Sequence, residues 1–164
     1  MFAFDMDSVL CSTEFLESGL EERYGPRIVR PGPRTFKLEY VGVPQGQVYK
    51  AIKEIIMEEG VSALPTPFMY DVLKFYHEIS GDPIVVVTAR NSACDDVTYQ
   101  WLSNNLGDIP WYCAICHGVP KAPVLQALDC EYFVDDRYKT IMGLHGFITH
   151  PVIYQYEWNQ GRDI

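Results

Sequence analysis

Ile84-Val85-Val86-Val87 is the segment that most limits what this chain can become. It is a short, continuous, β-branched run, opened by the breaker Gly81-Asp82-Pro83, and it has no polar alternate position for a half-exposed strand. A strand of this kind is covered on both faces, the condition of a parallel sheet packed between helices. Parallel strands need crossover helices, and the sequence supplies both. Phe2-Ala3-Phe4, Trp111 to Ile115 and Tyr132-Phe133-Val134 read as further strands, and Phe147-Ile148 with Val152-Ile153-Tyr154 as edge strands. Ala93 to Leu106, stopped by Gly107, then Ala122 to Leu128 and Arg137 to Leu144 read as helices between them. The predicted fold class is α/β, a three-layer doubly wound parallel sheet.

The first strand stands apart from this array by about seventy residues, far more than one crossover helix requires. Ser12 reads as the N-cap of a helix carrying Phe15, Leu16 and Leu20, ended by Gly25-Pro26. Prolines and glycines break the pattern from Arg27 to Pro44, which reads as a loop or short hairpin. Val48, Ile52, Ile55 and Ile56 mark a second amphipathic helix ending at Gly60. Leu64-Pro65-Thr66-Pro67 is a rigid connector to a helix over Phe68 to Ile79, with Val72, Leu73, Phe75 and Tyr76 available to pack. We therefore expect a small helical cap, 13–63, inserted after the first strand of a catalytic core made of 1–12 and 64–164.

Charge narrows the function classes. A formal net charge of −9 argues against a surface for DNA or RNA, which needs a basic stripe. No apolar run is long enough to span a membrane. The start of the chain has no charged leader, and Asp5 and Asp7 interrupt its apolar run, so no export signal is expected. Five cysteines without such a signal point to a reduced, cytoplasmic setting with thiols as small core residues.

The chemistry gathers after the predicted strands. Asp5 and Asp7 follow the first, Thr88-Ala89-Arg90 the second, Lys121 the third and Asp135-Asp136 the fourth. Parallel strands would bring all four to one edge of the sheet, where open α/β sheets bind their ligands. Carboxylates at i and i+2 of an extended segment share a face and repel, so a cation or a bound proton is expected between them. Taken singly, each feature has a plainer reading: solvated turn aspartates, a structural threonine, a surface lysine, a helix-capping acidic pair.

Taken together and in order, Asp5-x-Asp7, Thr88, Lys121 and Asp135-Asp136 resemble the four motifs of the haloacid dehalogenase superfamily of phosphotransferases. Within it the chain is most similar to the 5'(3')-deoxyribonucleotidase group. Leu64-Pro65-Thr66-Pro67 resembles that group's lead-in to the second motif, Val134-Asp135-Asp136-Arg137 its fourth motif, and Tyr156-Glu157-Trp158-Asn159 a tail of some members. Ser8 departs from the family's usual glycine, and Thr88-x-Arg90 is more like polynucleotide 3'-phosphatases.

The resemblance implies a Mg²⁺-dependent phosphomonoesterase working through an aspartyl-phosphate, with a small phosphorylated substrate such as a (deoxy)nucleoside monophosphate. Asp5 would be the nucleophile and Asp7 the acid and base. Thr88, Ala89, Arg90 and Lys121 would bind the phosphoryl group. Mg²⁺ would be held by the Asp5 carboxylate, the Asp7 backbone carbonyl and one of Asp135 and Asp136, with Asp136 favoured as the direct ligand. A 3'-phosphatase of nucleic-acid ends and a phosphate-binding module without turnover are the alternatives. Two further signals stand outside this reading. Cys113-x-x-Cys116-His117 matches a c-type haem pattern, but it falls on a predicted core strand and lacks the second ligand pair that zinc would need. Arg23, Arg27, Arg30, Arg34 and Lys37 concentrate positive charge in the cap, as a solvated loop face or a lid that draws in an anion. Tyr24, Phe36, Tyr40 and Tyr49 are candidates to stack on a base.

Overall fold

The computed structural model describes residues 1–28 and 38–155. Its centre is a five-stranded sheet, every neighbouring pair parallel, built from β1 (Phe2–Phe4), β2 (Ile84–Thr88), β3 (Trp111–Ile115), β4 (Tyr132–Asp135) and β5 (His150–Ile153) in the order β3-β2-β1-β4-β5. All five residues of β2 are buried, as its unbroken β-branched run requires. In register, Ala3 lies between Val85 and Phe133, and these three point into one core layer.

Helices α3 (Met69–Ser80) and α4 (Asp95–Leu106) cover one face, packing Met69, Leu73, Trp101, Leu102 and Leu106 against Phe4, Ile84 and Val86. Helices α5 (Ala122–Ala127) and α6 (Tyr138–Gly143) cover the other, with Leu125 and Ile141 against Ala3, Val85, Val87 and Phe133. The three-layer arrangement is the expected one. Strand order reverses direction at β1, so the end of β1 opens into the crevice where such folds place their sites.

Between β1 and α3 the chain forms α1 (Glu14–Tyr24) and α2 (Gln45–Glu59). Their apolar faces meet in a separate cluster of Leu16, Leu20, Val48, Ala51, Ile55 and Ile56. Gly19 permits the close approach, since a Cβ there would stand 3.0 Å from the Ile55 side chain. Arg27 and Tyr40 form an antiparallel bridge, so the ends of the irregular segment pair as a hairpin would, while 29–37 lie outside the described residues. Cys94, at the entry to α4, is buried in this same cluster, which ties α1 and α2 to the sheet's helical layer.

Three expectations shift. Helix α1 begins at Glu14 with Thr13 as N-cap. The Ser12 hydroxyl accepts the Glu14 amide at 3.4 Å, and the Thr13 hydroxyl is turned to Ser8 at 3.0 Å. Phe147-Ile148 is a turn rather than a strand, with Ile148 anchored in the core and Phe147 exposed, and β5 starts at His150. On α3, only Leu73 and part of Tyr76 pack as anticipated; Val72 and Phe75 point away from the sheet, because Met69 and Leu73 already fill the face that meets it.

Candidate active site

The strand ends place the acidic residues. Asp5 follows β1 directly, and its amide donates to the Val134 carbonyl at 2.8 Å, extending the ladder by one residue. Asp135 ends β4, the strand beside it, and Asp136 follows. Asp5, Asp135 and Asp136 each present a carboxylate oxygen within 4.8 Å of the others, and all three are buried. Lys121, at the N-terminal boundary of α5, reaches into the cluster. Its Nζ lies 2.8 Å from Asp5 Oδ1 and 2.7 Å from Asp135 Oδ2. Burial pushes the lysine's pKa down, but the two carboxylates outweigh it and hold the amine charged.

One lysine does not balance three carboxylates. Burial, with Asp135 and Asp7 adding and Lys121 opposing, pushes the Asp5 carboxyl up to about 6. Burial and then the charges of Asp5 and Asp135 push Asp136 up to about 8, against a hydrogen bond with Ser8 and the Arg137 charge. Asp135 has both oxygens engaged: Oδ2 accepts from Lys121, and Oδ1 accepts the Arg137 amide at 2.7 Å. The charge deficit therefore falls on Asp5 and Asp136, and hard oxygen donors with excess negative charge suit a divalent cation such as Mg²⁺.

A tight loop from Met6 to Cys11 carries Asp7. The amides of Val9, Leu10 and Cys11 all point to the Met6 carbonyl, at 3.3, 2.9 and 2.9 Å. Ser8 sits at φ 64°, the left-handed region that costs a non-glycine residue about 1–2 kcal/mol. Its hydroxyl meets Asp136 and Thr13, contacts a glycine could not make. The Leu64–Pro67 connector clamps the loop from outside. The Thr66 hydroxyl donates to the Val9 carbonyl at 2.6 Å, and the Thr66 amide donates to the Leu10 carbonyl at 2.9 Å.

Arg90 is engaged elsewhere than on an open phosphate position. Its Nε donates to both Asp7 oxygens at 3.2 and 3.1 Å and its Nη2 to Oδ1 at 2.6 Å, a fork on the carboxylate. Its Nη1 donates to Thr98 Oγ1 at 3.2 Å, and that hydroxyl donates to the Cys94 carbonyl at 2.7 Å. The guanidinium is buried and the Asp7 carboxylate a quarter exposed at the site mouth. Thr88 is buried at the end of β2, where its hydroxyl accepts the Arg90 amide at 3.4 Å; Ala89 between them is half-buried. Asp5, Lys121, Asp135 and Asp136 thus form one cluster, with Thr88 at the end of β2 and Asp7 and Arg90 on the adjoining loops.

Sequence reasoning names Ser8 only as a departure from a glycine and Thr66 only as part of a connector, and it misses Thr98, whose one trace is a hydroxyl residue within an otherwise ordinary helix. The other motifs separate. Cys116 is buried, Cys113 half-buried and His117 exposed, with Nδ1 4.0 Å from Asp95 Oδ1, and among the described residues they form no ligand cluster. In the segment 13–63, Arg23 pairs with Glu54 and Glu58 at 2.7 and 3.1 Å, and Arg27 with Glu17 at 3.5 Å. Arg30, Arg34, Lys37, Phe36 and the Tyr156 to Asn159 segment lie outside the described residues. Tyr40 is buried and leans on Tyr24, so both belong to the packing around α1 and α2, while Tyr49 is exposed.

No protein-family profile matches the sequence, and no curated protein is significantly similar to it. Solved structures do match. CbbY from Rhodobacter sphaeroides, in complex with phosphate, superposes with a TM-score of 0.62 at 12% identity, over 99% of this chain and 88% of that one. A mutant of CbbY in complex with xylulose-(1,5)bisphosphate gives 0.60 at 13% identity, over 99% and 88%. A haloacid dehalogenase-like hydrolase from Streptococcus pneumoniae gives 0.59 at 16% identity, over 93% and 83%. At these identities the likeness is one of fold, and the fold is one that haloacid dehalogenase-like hydrolases share. No helix of the described chain is long and apolar enough to cross a membrane.

Proposed function

We propose that this protein is a Mg²⁺-dependent phosphomonoesterase that works through an aspartyl-phosphate on Asp5. The observation that carries the reading is the buried cluster of Asp5, Asp135 and Asp136 around Lys121 at the end of β1. Above its pKa of about 6, Asp5 is a carboxylate and a competent nucleophile. Its oxygen forms the new bond to phosphorus as the bond from phosphorus to the ester oxygen breaks. Asp7 supplies a proton to the departing oxygen, then takes one from the water that hydrolyses the acyl-phosphate. Arg90 orients the Asp7 carboxylate, and Thr98 holds Arg90 in turn. Thr88 and Lys121 meet the phosphoryl oxygens, with Ala89 and Arg90 in the same turn. The Asp5 and Asp136 carboxylates and the Asp7 backbone carbonyl would hold the metal, with Asp135 supporting from behind. When bound, Mg²⁺ neutralises charge on the phosphoryl oxygens.

The finer reading is a nucleoside monophosphate, probed by the segment 13–63 acting as a cap. Exposed Tyr49 supports it as a surface for a base. A sugar phosphate is the second reading, favoured by the fold's likeness to CbbY bound to xylulose-(1,5)bisphosphate. The net charge of −9 weighs against nucleic-acid ends as substrate. The free cysteines, four of them buried, support a reducing, cytoplasmic setting. Phosphate release across a panel of nucleoside and sugar monophosphates, with Mg²⁺ and with EDTA, tests the reading. Metal-dependent release that ranks nucleoside monophosphates first supports it. Release indifferent to EDTA overturns the metal site, and a sugar phosphate in first place overturns the finer assignment.

A further inference from the structure

Helix α3 has two apolar faces, and the sheet uses one. Met69 and Leu73 are buried against it. On the far side Phe68, Val72, Phe75 and Ile79 stay 78, 57, 65 and 69% exposed. Their spacing of four, three and four residues keeps all four within an arc of about 60°. This is a three-turn apolar seam of the kind one helix presents to another. Phe68 adds an independent sign. It sits at φ 61° at the head of α3, a left-handed position that a bulky side chain rarely takes, with its ring in water. Nothing within the described chain rewards an aromatic residue there.

We propose that α3 pairs with α3 of a second copy of this chain, antiparallel across a two-fold axis. The stripe is built for itself. A dyad midway along it sets Phe68 against Ile79 of the copy and Val72 against Phe75 of the copy. Every layer then joins one aromatic ring to one β-branched side chain, whereas a parallel pairing would set ring on ring and branch on branch. Asp71, Lys74 and Glu78 are exposed along one side of the stripe, and antiparallel pairing turns that side toward itself. The copy's Asp71 then lies about 3 Å along the axis from both Lys74 and Glu78, so the apolar pairing and not the charge sets the register. The exposed area of the four side chains is on the order of 500 Å² per copy, given the size of a phenylalanine. Two copies bury about 1,000 Å², where specific interfaces begin, and a patch of that size is uncommon on a monomer. The pairing is therefore concentration-dependent, and it is independent of the phosphatase reading.

Sedimentation velocity on the full chain, over a dilution series from high to low micromolar, tests it. The expected result is a dimer that dissociates on dilution. Phe75→Glu should weaken it about a hundredfold or more, with far-UV circular dichroism and thermal melting unchanged because Phe75 makes no core contact. Phe68→Cys with Ile79→Cys should cross-link two copies under mild oxidation, and Ile79→Cys alone, about 16 Å along the axis from its counterpart, should not. A wild-type chain that stays monomeric throughout, or a dimer indifferent to Phe75→Glu, overturns the proposal. Cross-linking through Ile79→Cys alone overturns the antiparallel register.

Discussion

Replacing Asp136 with asparagine should make the metal-free protein more stable and abolish the proposed phosphatase activity. Asp136 is pushed from the ordinary 3.8 to about 8 in the fold. A carboxyl whose pKa rises on folding stabilises fully below its unfolded value, and that stability is lost as pH climbs toward the folded one. Each pH unit between them is worth about 1.4 kcal/mol. From 3.8 to neutral pH the loss is on the order of 4 kcal/mol, and relaxation of the site with water entry leaves about half. Asparagine keeps the shape and removes the charge. Urea unfolding in EDTA should therefore show Asp136→Asn with a midpoint about 1–2 M above wild type at pH 8 and little difference at pH 4. Mg²⁺ should raise the wild-type midpoint at pH 8, because a ligand of the native state stabilises it, and should do little for the variant. A variant that is less stable than wild type in EDTA at pH 8, or that gains as much from Mg²⁺, would refute the charge-deficit argument.

Arg90→Lys keeps the charge but loses the fork on Asp7 and the bond to Thr98. With Asp7 a quarter exposed, we expect a loss of about 1–3 kcal/mol in urea unfolding and a large fall in kcat; wild-type kcat in the lysine variant would remove Arg90 from the positioning role. Tyr49→Ala should change the order of kcat/KM among nucleoside monophosphates and leave p-nitrophenyl phosphate nearly unaffected, because only the larger substrates reach the cap. An unchanged order moves recognition away from Tyr49.

Much of the sheet could be read from the chain. Ile84 to Val87 is a strand by its branching and continuity, and a parallel one by its lack of alternation, and the structure buries all of it. Asp5, Lys121, Asp135 and Asp136 could be brought together in advance because parallel strands deliver their ends to one edge. The pairing of Arg90 with Asp7 could not. A guanidinium has several partners within reach, and which it takes depends on the loop that Thr66 clamps and on Thr98 behind it. Helix α3 shows a second limit. Periodicity says that Val72, Leu73, Phe75 and Tyr76 are apolar on a helix, but not which face the sheet will claim. The aromatic residues of 13–63 show a third, since Tyr40 and Tyr49 look alike in sequence while one is buried and the other open.

The central claim is a covalent phosphoryl group on Asp5, and the most direct measurement is to trap it. Borohydride reduces an aspartyl-phosphate to homoserine, which peptide mass spectrometry locates. With p-nitrophenyl phosphate and Mg²⁺ turning over, the account predicts homoserine at position 5, none without substrate, and none in Asp5→Asn. Turnover with residue 5 left as aspartate, or homoserine found at another position, would contradict it.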